Sequence, residues 1–162
     1  MANEAAGLPV TIRLSEFPRD RDAIVELFRA YQQSLSVDLC FQGFDDEIAQ
    51  LPGAYAAPSG RLLLASIGAE PVGCVALRRH DPETGEMKRL YVRSSARGHG
   101  IGRRLVEQIV IEARMIGYRR LSLDTLPEMV EAQALYEVHG FRTVEPYTFN
   151  PVPGAKYLGL TL

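Results

Sequence analysis

The sequence predicts an α/β fold of the α+β type, in which a single mixed, mostly antiparallel central sheet is flanked by helices. Apolar-rich runs follow one another between residues 61 and 92 with only short turn-like segments between them, which is typical of antiparallel hairpins. Apolar residues recur about every 3.6 positions in residues 18–36 and 100–116, which indicates amphipathic helices among the strands. The length of 162 residues and the hydrophobic fraction of 46% are ordinary for one globular unit, so we expect a single domain over residues 1–162.

The first third of the chain predicts a strand, a helix and a long connector. Residues 10–15 alternate apolar and polar side chains as a strand does. In residues 18–36 the apolar positions Ile24, Leu27, Phe28 and Tyr31 share one helical face. Residues 37–60 mix aromatic residues with Gly and Pro, and we expect at most one short helix there, near residues 45–51.

The central third predicts a meander followed by a helix. Three apolar-rich strands are expected at residues 61–68, 71–80 and 85–92. A glycine-rich loop follows, and the helix expected over about residues 100–116 ends at Gly117.

The last third predicts a strand, a helix and two more strands. Residues 118–124 alternate as a strand, and Pro127 suits the first turn of a helix that Gly140 closes. Strands are expected at residues 141–147 and 155–162, with a turn-rich loop between them. The inner face of the helix is predicted to carry Val130, Ala134, Leu135 and Val138.

Composition argues against several classes of binding partner. A formal net charge of -2 and a pI near 5.9 argue against nucleic acid or a membrane surface as the partner. The first ten residues have neither a basic segment nor a long apolar one, so a cytoplasmic protein is expected. Cys40 and Cys74 lie far apart, and the three histidines show no ligand spacing, so no metal is expected.

Three glycines at alternate positions, Gly98, Gly100 and Gly102, stand between a predicted strand and a predicted helix. Their spacing fits neither the G-x-x-x-x-G-K-[ST] loop nor the G-x-G-x-x-G fingerprint, because arginine occupies position 103. Residues 88–104 contain six Lys or Arg and no Asp or Glu. The first N–H groups of a helix behind such a loop favour an anion, so the sequence predicts a phosphate site.

The stretch RGHGIG, residues 97–102, matches the [RQ]-x-x-G-x-[GA] loop that binds acyl-CoA in the GCN5-related N-acetyltransferase (GNAT) superfamily. The stretch around it, residues 86–110, resembles that family's central strand, pyrophosphate loop and helix, and AQALYEVHGF, residues 132–141, resembles its late helix and strand. The resemblance implies the GNAT acyl-CoA N-acyltransferase fold, acetyl-CoA as acyl donor, and acetyl transfer to an amine in a ternary complex. Members of that family often dimerise, so a homodimer is an expected assembly.

The resemblance also implies cofactor-binding residues. The CoA pyrophosphate would be held by the loop, chiefly through its backbone N–H groups. The pantetheine arm would pair with the strand before the loop, and residues 121–126 would diverge to open the cleft. The residues concerned are Arg97, Gly98, His99, Gly100, Ile101, Gly102 and Arg103 in the loop and Leu90, Tyr91 and Val92 in the strand.

Two catalytic residues follow from the resemblance. Glu86 stands eleven residues before Arg97, the family's spacing for a base that deprotonates the amine directly or through water. The alternative is a glutamate that merely opens an exposed strand. Tyr136 occupies the family's tyrosine position, from which a phenol can protonate the leaving thiolate, and the alternative is a packing tyrosine. Many relatives carry Asn where Met129 stands, and Asp124 and Thr125 are either replacement polar contacts or simply a strand end.

The amine acceptor is left open. Family topology implies that Tyr31, Phe41, Tyr147 and Asn150 line its pocket, but surface packing is an alternative for them. An amino acid, a polyamine, an antibiotic, a peptide N-terminus and a lysine all remain candidates for this small-molecule or peptide acceptor. A non-catalytic acyl-CoA-binding regulatory module and an unrelated nucleotide-binding domain are the alternatives to an enzyme.

Overall fold

The computed structural model describes residues 9–38 and 43–162. Four helices lie between the strands: α1 (Arg21–Ser34), α2 (Phe44–Ala49), α3 (Ile101–Ile116) and α4 (Val130–Val138). The strands are β1 (Val10–Leu14), β2 (Arg61–Ile67), β3 (Glu70–Asp81), β4 (Thr84–Val92), β5 (Arg120–Thr125), β6 (Arg142–Thr143) and β7 (Lys156–Thr161). Short 3₁₀ turns occupy Gly53–Tyr55 and Ser94–Ala96. The predicted order of strands and helices is confirmed.

All seven strands join one sheet in the order β1-β2-β3-β4-β5-β7-β6. Every neighbouring pair is antiparallel except β4 and β5, which run parallel. The predicted mixed, mostly antiparallel sheet is therefore confirmed. Since a parallel pair needs a crossover connection, α3 carries the chain from β4 back to the start of β5.

Two apolar clusters cover the two faces of the sheet. Alternate residues of a strand point to opposite faces, and in β2 Leu63 belongs to one cluster while Leu62 and Leu64 belong to the other. Helix α3 packs on the first face with the fully buried side chains Leu105 and Ile109. Helices α1 and α2 pack on the second face. The sheet thus stands between two layers of helices.

Strands β4 and β5 pair only at their first residues. The parallel register runs from Thr84 opposite Arg120 to Glu86 opposite Ser122 and stops there. Beyond it, β4 continues to Val92 and β5 to Thr125 without pairing to each other. The predicted divergence of residues 121–126 from this strand is confirmed from residue 123 onward, whereas Leu121 and Ser122 remain paired with β4.

A β-bulge lies in β4 just beyond that point. Two residues lie between Lys88 and Tyr91, but only one lies between their partners Ala76 and Cys74 on β3. Arg89 lies in the bulge and has a φ of 61°, a left-handed conformation that is uncommon for residues other than glycine. The bulge turns both Lys88 and Arg89 away from the face that Met87 and Leu90 occupy.

Two predictions about the last third are wrong. The strand predicted over residues 141–147 is only the two residues of β6, since Pro146, which has no N–H to donate, follows closely. In α4 the face predicted to be inner is largely outer: Val130 is 67% and Val138 is 81% exposed, whereas Tyr136 is buried. A helix of nine residues has too few turns for its apolar spacing to fix one face. Within the described residues, no helix is both long enough and apolar enough to cross a membrane.

Candidate active site

The gap between β4 and β5 opens into a cleft of about 820 Å³. Its walls are residues 87–92 of β4 and 123–126 at the end of β5, so the strand divergence creates it. The start of α3 closes one end, the end of α1 lies at the other, and α4 borders one side. A cleft of this size can hold an extended cofactor arm and a small second substrate.

The glycine loop presents backbone donors at one end of the cleft. Gly98 and Gly100 have φ of 86° and 71°, and no atom lies within 4 Å of where a side chain would begin on either. Gly100 caps α3 without any side-chain hydrogen bond. No backbone or side-chain acceptor among the described residues pairs with the N–H groups of residues 98–103. These donors, backed by the dipole of a sixteen-residue helix, suit a phosphate.

The predicted loop residues are brought to the cleft with one exception. Arg97, Gly98, Gly100, Ile101, Gly102 and Arg103 line it, while the exposed His99 does not. Arg97 donates from Nε to the Val92 carbonyl at 3.3 Å, and Arg103 pairs with Glu107 at 2.9 Å. The first turn of α3 contains no acidic residue, so the local charge stays positive.

The predicted strand residues Leu90, Tyr91 and Val92 also line the cleft. They belong to the part of β4 that β5 leaves unpaired. Their free edge can therefore pair with the amides of an extended ligand, as an added strand would.

Glu86 is deeply buried and held by three neighbours. Its Oε1 accepts a hydrogen bond from Arg78 Nε at 2.7 Å, and its Oε2 accepts one from the Tyr147 hydroxyl at 2.8 Å. Lys88 Nζ lies 3.8 Å from Oε2. Burial raises the pKa of Glu86, but Lys88 and Arg78 outweigh it, and the pKa falls below its ordinary value. Because only 2% of Glu86 is exposed, the alternative of a glutamate on an exposed strand is wrong.

Glu86 does not itself line the cleft, whereas its neighbour Lys88 does. Lys88 in turn faces Asp124 of β5, with Nζ 3.8 Å from Oδ1. Both side chains are more than nine-tenths buried, and both residues line the cleft. Burial lowers the pKa of Lys88, against the opposing effect of Glu86 and Asp124.

Sequence reasoning did not identify Lys88 and left Asp124 as no more than one alternative. Two features of the sequence could have pointed to Lys88. Lys88 shares the strand face of Glu86, two positions away, and it is one of only two lysines in a chain whose other basic residues are all arginine. Its partner could not be read from the chain, because Asp124 reaches it only across the gap between two strands.

Tyr136 lies on the cleft side of α4. The residue is 7% exposed and lines the cleft, and its ring packs against Phe141 at a centroid distance of 5.7 Å. No acceptor for its hydroxyl is found among the described residues. Burial, reinforced by Tyr31 and Asp124, raises the pKa of the phenol, which stays protonated at neutral pH.

The predicted acceptor residues are only partly brought together. Tyr31 and Asn150 line the cleft, and Asn150 donates from Nδ2 to Asp124 Oδ2 at 3.0 Å. Tyr147 contacts Glu86 instead of lining the cleft, and its ring stacks edge-on against His80 at 5.0 Å. Phe41 lies outside the described residues.

The bulge residue Arg89 anchors α2 beneath the cleft. Its guanidinium binds Glu47 through Nε at 2.9 Å and Nη2 at 3.0 Å, and it lies over the rings of Phe44 and Tyr31. Bidentate pairing of this kind fixes geometry as well as charge. Among the described residues, no group of three or more His, Cys, Asp or Glu could hold a metal ion.

Comparisons with known proteins give one consistent result. The family model described as the acetyltransferase (GNAT) family matches residues 22–141. An uncharacterized N-acetyltransferase of Schizosaccharomyces pombe is 38% identical over 155 residues, covering 94% of this chain and 95% of the relative. An acetyltransferase structure from Streptococcus agalactiae superposes with a TM-score of 0.78 at 25% identity, covering 94% of this chain and 98% of that one.

A second structure shares the fold. The acetyltransferase yncA from Salmonella typhimurium, solved with its cofactor acetyl-CoA, superposes with a TM-score of 0.69 at 20% identity. The match covers 94% of this chain and 93% of that one.

Proposed function

Because the chain belongs to the GNAT acetyltransferase family, we propose that it transfers the acetyl group of acetyl-CoA to a primary amine by direct attack in a ternary complex. The acceptor is a small molecule or a peptide. One observation carries the proposal: the loop residues Gly98 and Gly100–Arg103, whose N–H groups have no acceptor among the described residues, line the same cleft as the buried Lys88–Asp124 pair. The first can bind a cofactor phosphate while the second faces the space left for an acceptor.

The cleft fits acetyl-CoA on the evidence of its own residues. The N–H groups of residues 98–103 would hold the pyrophosphate, since nothing obstructs approach to Gly98 and Gly100. Arg97 and Arg103 add positive charge there. Leu90, Tyr91 and Val92 would pair with the pantetheine amides along the free edge of β4. His99 and Ile101 would contribute through their backbone N–H groups.

Acetyl-CoA supplies the thioester: the amine nitrogen forms the new C–N bond as the C–S bond breaks, and the amine loses the proton that the thiol gains. A primary amine with a pKa near about 10 carries one additional proton at neutral pH, so a base must first take that additional proton and pass it to solvent. Glu86 is the proposed base. Since Glu86 does not line the cleft although its neighbour Lys88 does, we assign it proton transfer through water instead of direct contact.

Tyr136 is the proposed acid. Its raised pKa keeps the phenolic proton in place, and its hydroxyl is not already donated to an acceptor among the described residues. A phenol in this state can give its proton to the leaving thiolate. The proposal treats residues 1–162 as one domain, supported by the single sheet that all seven strands share.

The experiment that tests the function is release of free thiol from acetyl-CoA across a panel of amines, with CoA binding measured separately by calorimetry. We expect amine-dependent release and an acetylated product of matching mass. Tight CoA binding with no amine-dependent release for any member of the panel would contradict the proposal and identify a non-catalytic acyl-CoA-binding module instead.

A further inference from the structure

The apex of the cleft holds two opposite charges that face each other across the strand gap. The last paired residues of β4 and β5 are Glu86 and Ser122, so continuing that register sets Lys88 opposite Asp124 where the strands part. Lys88 Nζ and Asp124 Oδ1 are 3.8 Å apart, and the two side chains are only 6% and 7% exposed. Both residues line the cleft.

Neither charge has its hydrogen-bonding capacity filled. An ammonium has three N–H donors, yet no acceptor among the described residues lies within hydrogen-bond distance of Lys88 Nζ. Asp124 accepts from Asn150 on Oδ2 at 3.0 Å, but Oδ1 accepts no hydrogen bond within the described chain. Buried charges are costly unless they are hydrogen-bonded, so unused donors and an unused acceptor beside a cleft indicate a ligand.

The pair is held in place from behind. Glu86, which does not line the cleft, lies 3.8 Å from Lys88 and is itself fixed by Arg78 and Tyr147. Asn150 fixes Asp124. The cation and the anion are therefore positioned before any ligand arrives, which reduces the ordering cost of binding.

Two acidic residues of α2 are already engaged. Asp45 pairs with Arg29 at 2.9 Å, and Glu47 binds Arg89 with both carboxylate oxygens. These two carboxylates are therefore committed to arginine rather than to a second ammonium group of an acceptor. A polyamine would also place a positive charge near Lys88, where like charges repel.

We propose that the Lys88–Asp124 pair selects a zwitterionic acceptor, an α-amino acid, with Lys88 binding its carboxylate and Asp124 its ammonium group. An α-amino acid carries both charges on one carbon, so they can meet two oppositely charged groups that lie side by side. A simple amine would leave Lys88 without a hydrogen-bond acceptor in a buried position. This inference rests on the proposed acetyl transfer, because it identifies the acceptor of the same cleft.

The first test compares acceptors that differ only in the carboxylate. L-alanine is paired with ethylamine, L-leucine with 3-methylbutylamine and L-phenylalanine with 2-phenylethylamine. L-leucinamide serves as an analogue of L-leucine in which a neutral amide replaces the carboxylate. We expect at least one amino acid to exceed its matched amine in kcat/KM by about tenfold or more, the effect of one charge-assisted hydrogen bond. Equal rates within every pair would overturn the inference while leaving acetyl transfer in place.

The second test uses the two lysines. Lys88→Met keeps the aliphatic stem and removes the charge, and we expect it to reduce the carboxylate preference to about twofold or less, mainly through KM for the acceptor. Lys88→Arg restores charge and should recover part of the preference. Lys156→Met is the matched control, because Lys156 is the other lysine, lies exposed on β7 and contacts Gln133 instead of the cleft. A Lys88→Met enzyme that retains the full preference would contradict the assignment.

A binding measurement separates this inference from the function it rests on. L-alanine, L-leucine and L-phenylalanine are titrated by calorimetry into wild-type and Lys88→Met protein saturated with CoA. Lys88-dependent binding without turnover would support the zwitterion site and overturn acetyl transfer. Turnover of amines with no Lys88-dependent binding of any of the three amino acids would support acetyl transfer and overturn the zwitterion site.

Discussion

Glu86 shows how a buried carboxylate can stay ionised. Desolvation alone would raise its pKa and keep it protonated, but Lys88 and Arg78 reverse that effect. The carboxylate is therefore ionised throughout the neutral range. In the same way, burial next to Glu86 raises the pKa of Tyr147 and keeps its hydroxyl a donor to Glu86.

Replacing Glu86 by Gln tests the base. We expect kcat to fall about a hundredfold or more near neutral pH, and the loss to shrink at alkaline pH, where the free amine no longer needs a base. Because the pKa of Glu86 is lowered, the wild-type rate should rise with amine deprotonation and show no carboxyl inflection between about pH 5 and 8. The measurement is a pH-rate profile of both enzymes.

The matched control for this variant is Glu83→Gln, which changes an exposed glutamate in the turn before β4. Melting temperatures are recorded for both variants, since Glu86→Gln also leaves Arg78 and Lys88 with a weaker partner. A folded Glu86→Gln enzyme with the wild-type profile would assign the base to water or to another residue.

Replacing Tyr136 by Phe tests the acid. The change removes one hydroxyl, and its ring contact with Phe141 is retained, so we expect kcat to fall about tenfold with the Kd for CoA unchanged. The loss is modest because a thiolate with a pKa near about 8.5 is already a fair leaving group. Steady-state kinetics and calorimetry measure the two quantities.

Tyr118→Phe is the control: Tyr118 is buried outside the cleft, and its hydroxyl donates to Ser59. A Tyr136→Phe enzyme with wild-type kcat would make Tyr136 a packing residue.

At the scale of elements, α3 joins the core to the proposed cofactor loop. Its inner face carries Leu105 and Ile109 into the first apolar cluster, and this packing fixes the direction in which its N-terminus points. Gly100 starts the helix with a left-handed φ, as Gly117 ends it. The two glycines share a left-handed conformation, but only Gly100 lines the cleft.

Replacing Gly100 by Val tests the loop. A β-branched residue in the left-handed region costs about 1–2 kcal/mol or more and places a side chain where the pyrophosphate must approach. We expect KM for acetyl-CoA to rise about tenfold or more, with a much smaller change in kcat. Gly117→Val is the matched control, because its φ of 106° imposes similar strain at the opposite end of the same helix. Unchanged cofactor kinetics in Gly100→Val, or an equal rise in KM in both variants, would contradict the loop assignment.

The elements differ in how far the sequence could predict them. Strands β2, β3 and β4 and helix α3 are long and periodic, and their positions are predicted within a few residues. The inner face of α4 was predicted wrongly because Val130 and Val138 lie at the two ends of a short helix. The bulge at Arg89 has no local signal, since glycine is the usual residue at positive φ.

The candidate site could also be predicted only in part from the sequence, but for a different reason. Gly98 and Gly100 lie close together in the chain, so the sequence could predict their loop and its resemblance to a known acyl-CoA loop. The Lys88–Asp124 contact depends on the register of two strands joined through α3, which tertiary packing sets. Contacts between elements distant in sequence are the part of this site that the chain alone did not reveal.

At the scale of the whole molecule, the divided sheet places the glycine loop and the Lys88–Asp124 pair in one cleft. The pairing of β4 with β5 ends at Glu86. The glycine loop before α3 and the end of α1 both border the cleft that opens there. Both substrates can therefore be present together, as direct transfer requires. Transfer through an acetylated enzyme would need a nucleophile in the cleft instead.

The thiol of Cys74 is unsuited to that second route. It is fully buried, does not line the cleft and donates to the Arg89 carbonyl at 3.3 Å. Burial raises its pKa to about 12, so almost none is thiolate at neutral pH. Cys40, the other cysteine of the sequence, lies outside the described residues and is tested directly by substitution.

We therefore expect a sequential kinetic mechanism. Initial-rate lines at varied acetyl-CoA and amine concentrations should intersect, and mixing enzyme with acetyl-CoA alone should release no burst of thiol. Intact-protein mass spectra after that mixing should show no acetyl adduct, and the Cys40→Ala/Cys74→Ala variant should keep at least about half of the wild-type kcat. Parallel lines together with an acetylated protein that transfers its group to added amine would establish a covalent route. The proposal of direct attack in a ternary complex would then be wrong, even though the fold and the cofactor loop would be unchanged.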